Sequence, residues 1–513
     1  MEKRTFEMTL PFTSNLNKKM RYAAKLMAYF LFALLCLQYS AVAFSDDLAK
    51  VKNDSEDTLN DRKSSADANL PLSLSDGDRL IFIGDSITHG GSYHVNLALF
   101  YALRFTDVEL SFINAGISGD TASGTNARYS RDIAIHSPSD ATIMLGMNDV
   151  NRELYSPRNN ALTGDAKQAL IERRRDTRAD YLANMKSLIQ QLQDDEVDIT
   201  IFTPSIYDQT AVLARENMLG VNDELAVYGQ ILSEYAREEN IGIIDFQVPM
   251  QMINEVYQYE QPDFSVVGSD RIHPGPAGHF VMFYSILHEN FTRQNIADIA
   301  INAAQSSYNL SGCNDKNIEQ ISPTAIEFSC RLNGLPFPVS SEQQDALNWV
   351  PFTQDFNQLN LRVRGLEVGE YSLTIDYINI DSLDHKALAQ GVNLASYTNT
   401  PMYKQALAVK AVNDQRAYAE RQLRDILQVE FSMLDPYPER DRSSAQAIKE
   451  TLDMHVEKSK GKPWYDYLKN QAKNYIENAH KAPALRAKAA ELNTQLYRVN
   501  KPAAMKVSIS KVK

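Results

Sequence analysis

The chain has 513 residues, 44% of them hydrophobic, and 52 Lys and Arg against 65 Asp and Glu give a formal charge of −13 at pH 7. That length admits two or three domains, and the apolar share is ordinary for a protein with a packed core. The acidic surplus argues against nucleic acid or an anionic membrane surface as a preferred partner, because both repel it. At the N-terminus, Lys18, Lys19, Arg21 and Lys25 precede an apolar run from Leu26 to Leu37 that closes on Ala41-Val42-Ala43. A basic start, a short apolar middle and small residues before the cut predict a secretory signal peptide over 1–43, with Met20 as an alternative start to Met1. A membrane anchor is the competing reading, but about 12 apolar residues fall short of the roughly 20 that span a bilayer. A lipoprotein signal at Cys36 competes too, but Ala33-Leu34-Leu35 lacks the small residue usual beside an acylated cysteine. The product is expected to be periplasmic or secreted, without stable membrane insertion.

Residues 44–75 are rich in Asp, Ser, Asn and Lys, without a sustained apolar period, and read as a flexible linker. Over 76–300, strand and helix signals alternate. Leu80–Ile83 is a compact apolar run stopped by Gly84, and Leu110–Ile113, Ala141–Leu145, Asp198–Phe202 and Ile241–Phe246 are further strands. Helical spacing lies at His94–Phe105, Arg173–Leu192, Leu225–Glu239 and Gly278–Asn290. This alternation predicts an α/β domain, a parallel sheet with helices on both faces and ligands at the C-terminal strand ends. Short β-rich runs, Ala325–Leu332 and Leu359–Ile380, predict a small antiparallel β module over 308–382. From 383 to 513 Ala, Lys, Gln, Leu and Glu dominate, and helices are expected at about 401–432, 443–458 and 464–497, between Pro436, Pro438 and Pro463. After signal removal only Cys313 and Cys330 remain, and an even pair in an exported chain reads as a disulfide.

The chemistry lies in four blocks. Ser86, in Gly84-Asp85-Ser86-Ile87-Thr88, follows a buried strand and opens a helix, where backbone N–H groups point at an anion. Gly119, in Ile117-Ser118-Gly119-Asp120, lets a backbone N–H approach a developing oxyanion without a Cβ in the way. Asn148, in Gly146-Met147-Asn148-Asp149, can add a side-chain amide donor. Asp270 and His273, three apart before Pro274, let a carboxylate hold Nδ1 of the ring while Nε2 faces a serine. His89 is near enough to Ser86 to line a pocket, and Tyr207 and Asp208 follow a later strand with the chemistry to meet a sugar. His279 reads as structural, and His94 and His136 as polar surface or core-edge residues.

In order and spacing these blocks resemble the SGNH (GDSL) hydrolases. The resemblance covers about residues 78–295 and implies a flavodoxin-like three-layer α/β/α fold. It also implies a serine esterase without metal or cofactor: Ser86, His273 and Asp270 as the catalytic set, and an oxyanion hole from the Ser86 and Gly119 N–H groups with the Asn148 amide. The stretches Gly369–Asp376 and Gly391–Ala395 look like the C-terminal region attached to some bacterial GDSL hydrolases. The expected function is removal of O-acetyl groups from a carbohydrate through an acyl-enzyme. Its rivals are a lipase, lysophospholipase or thioesterase on the same scaffold, or a glycan-binding protein with a vestigial hydrolase domain.

Overall fold

The structure, a computed structural model, describes residues 71–512. The expected signal peptide, Cys36 and residues 44–70 of the expected linker lie outside the described residues. The last residues of that linker stretch are tied to the fold: Leu72 is buried and its N–H donates to Asn290 Oδ1 at 2.7 Å.

Five strands, β1 (Arg79–Gly84), β2 (Ser111–Gly116), β3 (Asp140–Met144), β4 (Asp198–Phe202) and β5 (Gly242–Ile244), form a parallel sheet in the order β2-β1-β3-β4-β5. This is the flavodoxin-like order. Strand β1 is buried from Leu80 to Gly84, as a central strand covered on both faces must be. Helices α1 (Ser86–His89), α2 (Tyr93–Arg104), α3 (Ala122–Asp132), α4 (Gly164–Asp194), α5 (Val221–Glu238), α6 (Gln247–Tyr257) and α7 (Pro276–Asn290) accompany it. Phe100 of α2 meets Phe283 of α7 at 6.0 Å, and Tyr181 of α4 stacks on Tyr228 of α5 at 4.2 Å. Sheet and helices make the expected three-layer α/β/α fold.

The β-rich stretch after residue 296 builds two sheets. In one, β6 (Ala297–Asn302) and β7 (Ser307–Ser311) join β10 (Leu359–Arg364) and the two-residue β13 (Val392–Asn393) in the order β13-β10-β6-β7, with β6 and β10 parallel. The other is antiparallel: β8 (Cys313–Ile321), β9 (Ala325–Leu332), β11 (Glu370–Ile375), β12 (Ile378–Asp384) and β14 (Ala504–Lys511) in the order β12-β11-β14-β9-β8. Its central strand, β14, comes from the end of the region read as helical. Met505, Val507 and Ile509 alternate inward there, a period-2 signal that the helix-rich composition before it masks. Cys313 and Cys330 form a disulfide between β8 and β9.

Helices α8 (Pro401–Val429), α9 (Ala445–Glu457), α10 (Tyr465–Asn478) and α11 (Ala482–Val499) follow. The expected single helix over 464–497 is two, parted at Ala479–Lys481 with Pro483 in the first turn of the second. A π-helical turn, Glu430–Leu434, extends α8. Ile426, Val429, Met433, Leu452, Val456 and Tyr475 make a core private to these helices.

Helix α8 lies against β2, an edge strand of the parallel sheet. An edge presents unpaired carbonyls. Arg416 Nη1 donates to Phe112 O at 2.9 Å and Arg424 Nε to Gly116 O at 3.1 Å, while Asn493 of α11 caps Leu110 O at 3.0 Å. Buried Asp132, the last residue of α3, takes both Arg424 Nη groups at 2.6 and 2.7 Å and a further bond from Arg128. Burial alone would raise the Asp132 pKa, but the Arg424 and Arg128 guanidiniums bring it down from 3.8 to about 2. The folded state therefore holds this proton less readily than the unfolded chain. Its contribution to stability is full above about pH 4 and disappears as pH falls toward 2. Asp132→Asn leaves the buried Arg424 without a carboxylate and Arg128 with Asp120 alone, and is expected to cost roughly 3–5 kcal/mol. Urea unfolding at pH 7 measures that loss, and the same titration repeated from pH 4 down to pH 2 should show a flatter acid limb in the variant.

Candidate active site

The four blocks converge at the C-terminal ends of β1, β2 and β3. Asp85 is buried, caps α1 by accepting the Ile87 N–H at 2.9 Å, and has its pKa raised by burial to about 6. Ser86 is the first residue of α1, where an N–H has no intrahelical acceptor. The end of α1 sits directly over β2: a Cβ at Gly116 would lie 2.3 Å from the His89 backbone nitrogen, so only glycine fits. Gly119 lies in the loop that follows, at φ +84°, in the left-handed region that favours glycine.

Oγ of Ser86 lies 2.8 Å from Nε2 of His273, and Nδ1 of His273 lies 2.5 Å from Oδ2 of Asp270. The other carboxylate oxygen of Asp270 accepts the backbone N–H groups of Ile272 at 3.0 Å and His273 at 2.9 Å. Burial would raise the Asp270 pKa, but the bonds from the His273 ring and from these two N–H groups bring it to about 2. Asp270 is thus a carboxylate at every pH near neutrality. Half the His273 side chain is exposed, so the line of three groups opens to solvent. Such a line can pass a hydroxyl proton to an imidazole whose tautomer a carboxylate selects.

Asn148 donates through Nδ2 to Asp120 O at 2.9 Å, which turns its amide toward the Gly119 loop and leaves a second N–H on the same nitrogen. Neighbouring Asp149 caps α3 through Ala122 N at 2.8 Å, and burial raises its pKa to about 7. Among the described residues no group of three or more His, Cys, Asp or Glu side chains is placed to hold a metal ion.

Three residues singled out for substrate contact are occupied elsewhere. Tyr207 is buried; its hydroxyl accepts Met218 N at 2.9 Å and donates to Glu216 O at 3.4 Å. Asp208 is buried, and its carboxylate takes Thr210 N, Ala211 N, Asn254 Nδ2 and Gln258 Nε2, all within 3.1 Å. His89 is buried between Ser118 and Asp425. A polar residue after a strand satisfies a loop as readily as it faces a ligand, and sequence position does not separate the two. His94 and His279 are buried with pKa values lowered by burial to about 3, and His279 stacks on Tyr93.

The residue that sequence reasoning passed over is Arg271, inside the Asp270–His273 block. It holds φ +72°, unusual for a side chain of its size. Its buried guanidinium donates to Asp208 O at 2.9 Å, Ala211 O at 3.0 Å and Arg215 O at 3.1 Å, while its own carbonyl accepts Asp208 N at 2.9 Å. These bonds hold the turn that aims Asp270 and His273. The Asp-x-x-His spacing drew attention to the ends of the block and away from its middle.

Residues 82–280 match the model of the GDSL-like lipase/acylhydrolase family. That segment is a GDSL-like lipase/acylhydrolase domain. The chain is accordingly a carboxylic ester hydrolase. An acetylxylan esterase of Geobacillus stearothermophilus is 25% identical over 233 residues, which are 42% of this chain and 96% of the relative. A solved structure of a gut microbial diltiazem-metabolizing enzyme, BT4096, is 29% identical and covers 87% of this chain and all of its own, with a TM-score of 0.76. The likeness to the second protein therefore extends well past residue 280 into the C-terminal sheets and helices.

Removing the Arg271 anchor should loosen the turn without touching the reacting groups. Arg271→Ala is expected to lower kcat for p-nitrophenyl acetate about 10²-fold, the scale of a misplaced catalytic group. Steady-state kinetics beside a circular-dichroism melt measures it.

Proposed function

We propose that this hydrolase is an exported O-acetyl esterase acting on carbohydrate, with Ser86 as nucleophile, His273 as general base and acid, and Asp270 as the group that orients and charge-balances the ring. Ser86 Oγ attacks the ester carbonyl while its proton passes to His273 Nε2. The tetrahedral oxyanion is met by the N–H groups of Ser86 and Gly119 and by the Asn148 amide. Collapse expels the sugar alkoxide, which takes the proton from His273. Water, deprotonated by the same ring, then attacks the acetyl-enzyme, and acetate leaves as Ser86 regains its proton. The observation that carries this reading is the contact of 2.8 Å between Ser86 Oγ and His273 Nε2, backed by the Asp270 carboxylate.

The carbohydrate part of the reading has its own support. A cleft of about 720 Å³ adjoins the Gly119 loop. Its walls include Arg131, Phe431, Ser432, Asp435 and Arg442, a lining of guanidinium, hydroxyl and carboxylate around one aromatic ring. Arg131 sits 5.3 Å from the centre of the Phe431 ring, and Arg442 Nη1 donates to Asp435 at 3.0 Å. Such hydroxyl, carboxylate and guanidinium groups beside an aromatic ring can hydrogen-bond a hydroxyl-rich sugar. The relative from Geobacillus is named for acetylxylan. For export, the support is the N-terminal sequence pattern and the Cys313–Cys330 disulfide, which fits an oxidising compartment. No described helix is long and apolar enough to cross a membrane.

Acetate release from a panel of acetylated oligosaccharides tests the proposal. The wild type should release acetate from at least one glycan, and Ser86→Ala should lose about 10³-fold or more of that rate. Turnover by Ser86→Ala near the wild-type rate would overturn the role of Ser86. A preference for long-chain p-nitrophenyl esters over the acetate would replace the carbohydrate reading with a lipid-directed one.

A further inference from the structure

Two groups outside the Ser86–His273–Asp270 line meet behind the loop that carries Gly119. His89, the last residue of α1, has Nε2 3.1 Å from Oδ1 of Asp425 on α8. Its Nδ1 lies 3.2 Å from the backbone nitrogen of Ser118 and 3.0 Å from Ser118 Oγ. A backbone N–H can only donate. Nδ1 must therefore present its lone pair, and a neutral ring must carry its proton on Nε2, aimed at the Asp425 carboxylate. Burial lowers the His89 pKa and favours that neutral ring, while Asp425 works in the opposite sense.

The neighbouring peptide groups are held as well. Gly116 O is capped by Arg424 Nε at 3.1 Å, Asp120 N donates to Ile117 O at 3.1 Å, and Asp120 Oδ2 takes Arg128 Nε at 2.8 Å. With Asn148 on Asp120 O, the loop is gripped on both sides of Gly119. Three of the groups that set its shape (Asp425, Arg424 and, through Asp132, Arg128) depend on α8. Asp425 lies beyond the segment that matches the hydrolase family.

We propose that His89 and Asp425 are positioning residues for ester hydrolysis: the carboxylate from the C-terminal helix selects the His89 tautomer, and the ring holds the Ser118 N–H so that the next one, of Gly119, faces the oxyanion. The C-terminal helices thereby complete the reaction centre of the hydrolase domain. The inference rests on the reading of Gly119 as an oxyanion donor.

The test compares the full-length wild type with Asp425→Ala, Asp425→Asn and His89→Phe on p-nitrophenyl acetate. Asp425→Ala and His89→Phe should lower kcat about 10- to 100-fold, the scale of losing a group that orients a reacting one, with KM within about threefold. Asp425→Asn still offers an amide oxygen to the Nε2 proton and should recover to within about threefold of the wild type. A merely structural contact would not separate Asn from Ala in kcat at equal thermal midpoint. Long-range proton–nitrogen spectra of the wild type should show the His89 proton on Nε2, and this readout stands even where Asp425→Ala does not fold. An Asp425→Ala kcat within about twofold of the wild type, an Asn variant as slow as the Ala variant, or a proton on Nδ1 would overturn the proposal. A wild type without Ser86-dependent turnover would remove the esterase mechanism and this inference together, whereas an active wild type with an indifferent Asp425 removes this inference alone.

Discussion

An edge strand in a parallel sheet cannot be left bare, and the way this chain covers β2 organises much of the rest. The free carbonyls of β2 need donors that reach from outside the sheet. Arg416 and Arg424 supply them from α8, at Phe112 and Gly116. Burying guanidiniums requires carboxylates, and Asp132 answers two of them at once. The result is a dense ionic seam between the hydrolase sheet and helices more than 280 residues away in sequence.

That seam ends where the chemistry begins. Gly116 is the last residue of β2, and the loop that follows carries Ser118, Gly119 and Asp120. The same helix that closes the sheet edge also presents Asp425 to His89 and, through its π-helical extension, Phe431 and Ser432 to the cleft beside Gly119. Stability and site geometry thus share one element. The opposite wall of the site is held by a different device: Arg271, in a left-handed backbone conformation, gripping carbonyls of the loop after β4. Residues in sparsely populated backbone regions persist only where the surroundings over-determine them, and three carbonyl acceptors do so here.

Two histidines show how environment assigns function. His273 and His89 each have one ring nitrogen on a carboxylate and the other on a serine. His273 is half exposed and its partner Ser86 opens to solvent, whereas His89 is buried and faces a backbone N–H that can only donate. The first arrangement can exchange protons with a substrate. The second can only hold a shape.

The sequence by itself determined the α/β/α layering, the family, and the residues that meet at the strand ends. Apolar strands stopped by Gly84 and Gly146 and the Asp270–His273 spacing are local signals, written within a few residues of the groups they specify. It also marked the Cys313–Cys330 pair. The tertiary structure alone decided what local signals cannot carry. It set which polar residues turn inward: Tyr207 and Asp208 are consumed by their own loop, and His89 by Asp425. It split the β-rich stretch into two sheets and drew the last strand into the middle of one. It brought α8 onto β2, because an arginine reads as a solvated charge in sequence until a distant carbonyl and a buried carboxylate give it somewhere to go.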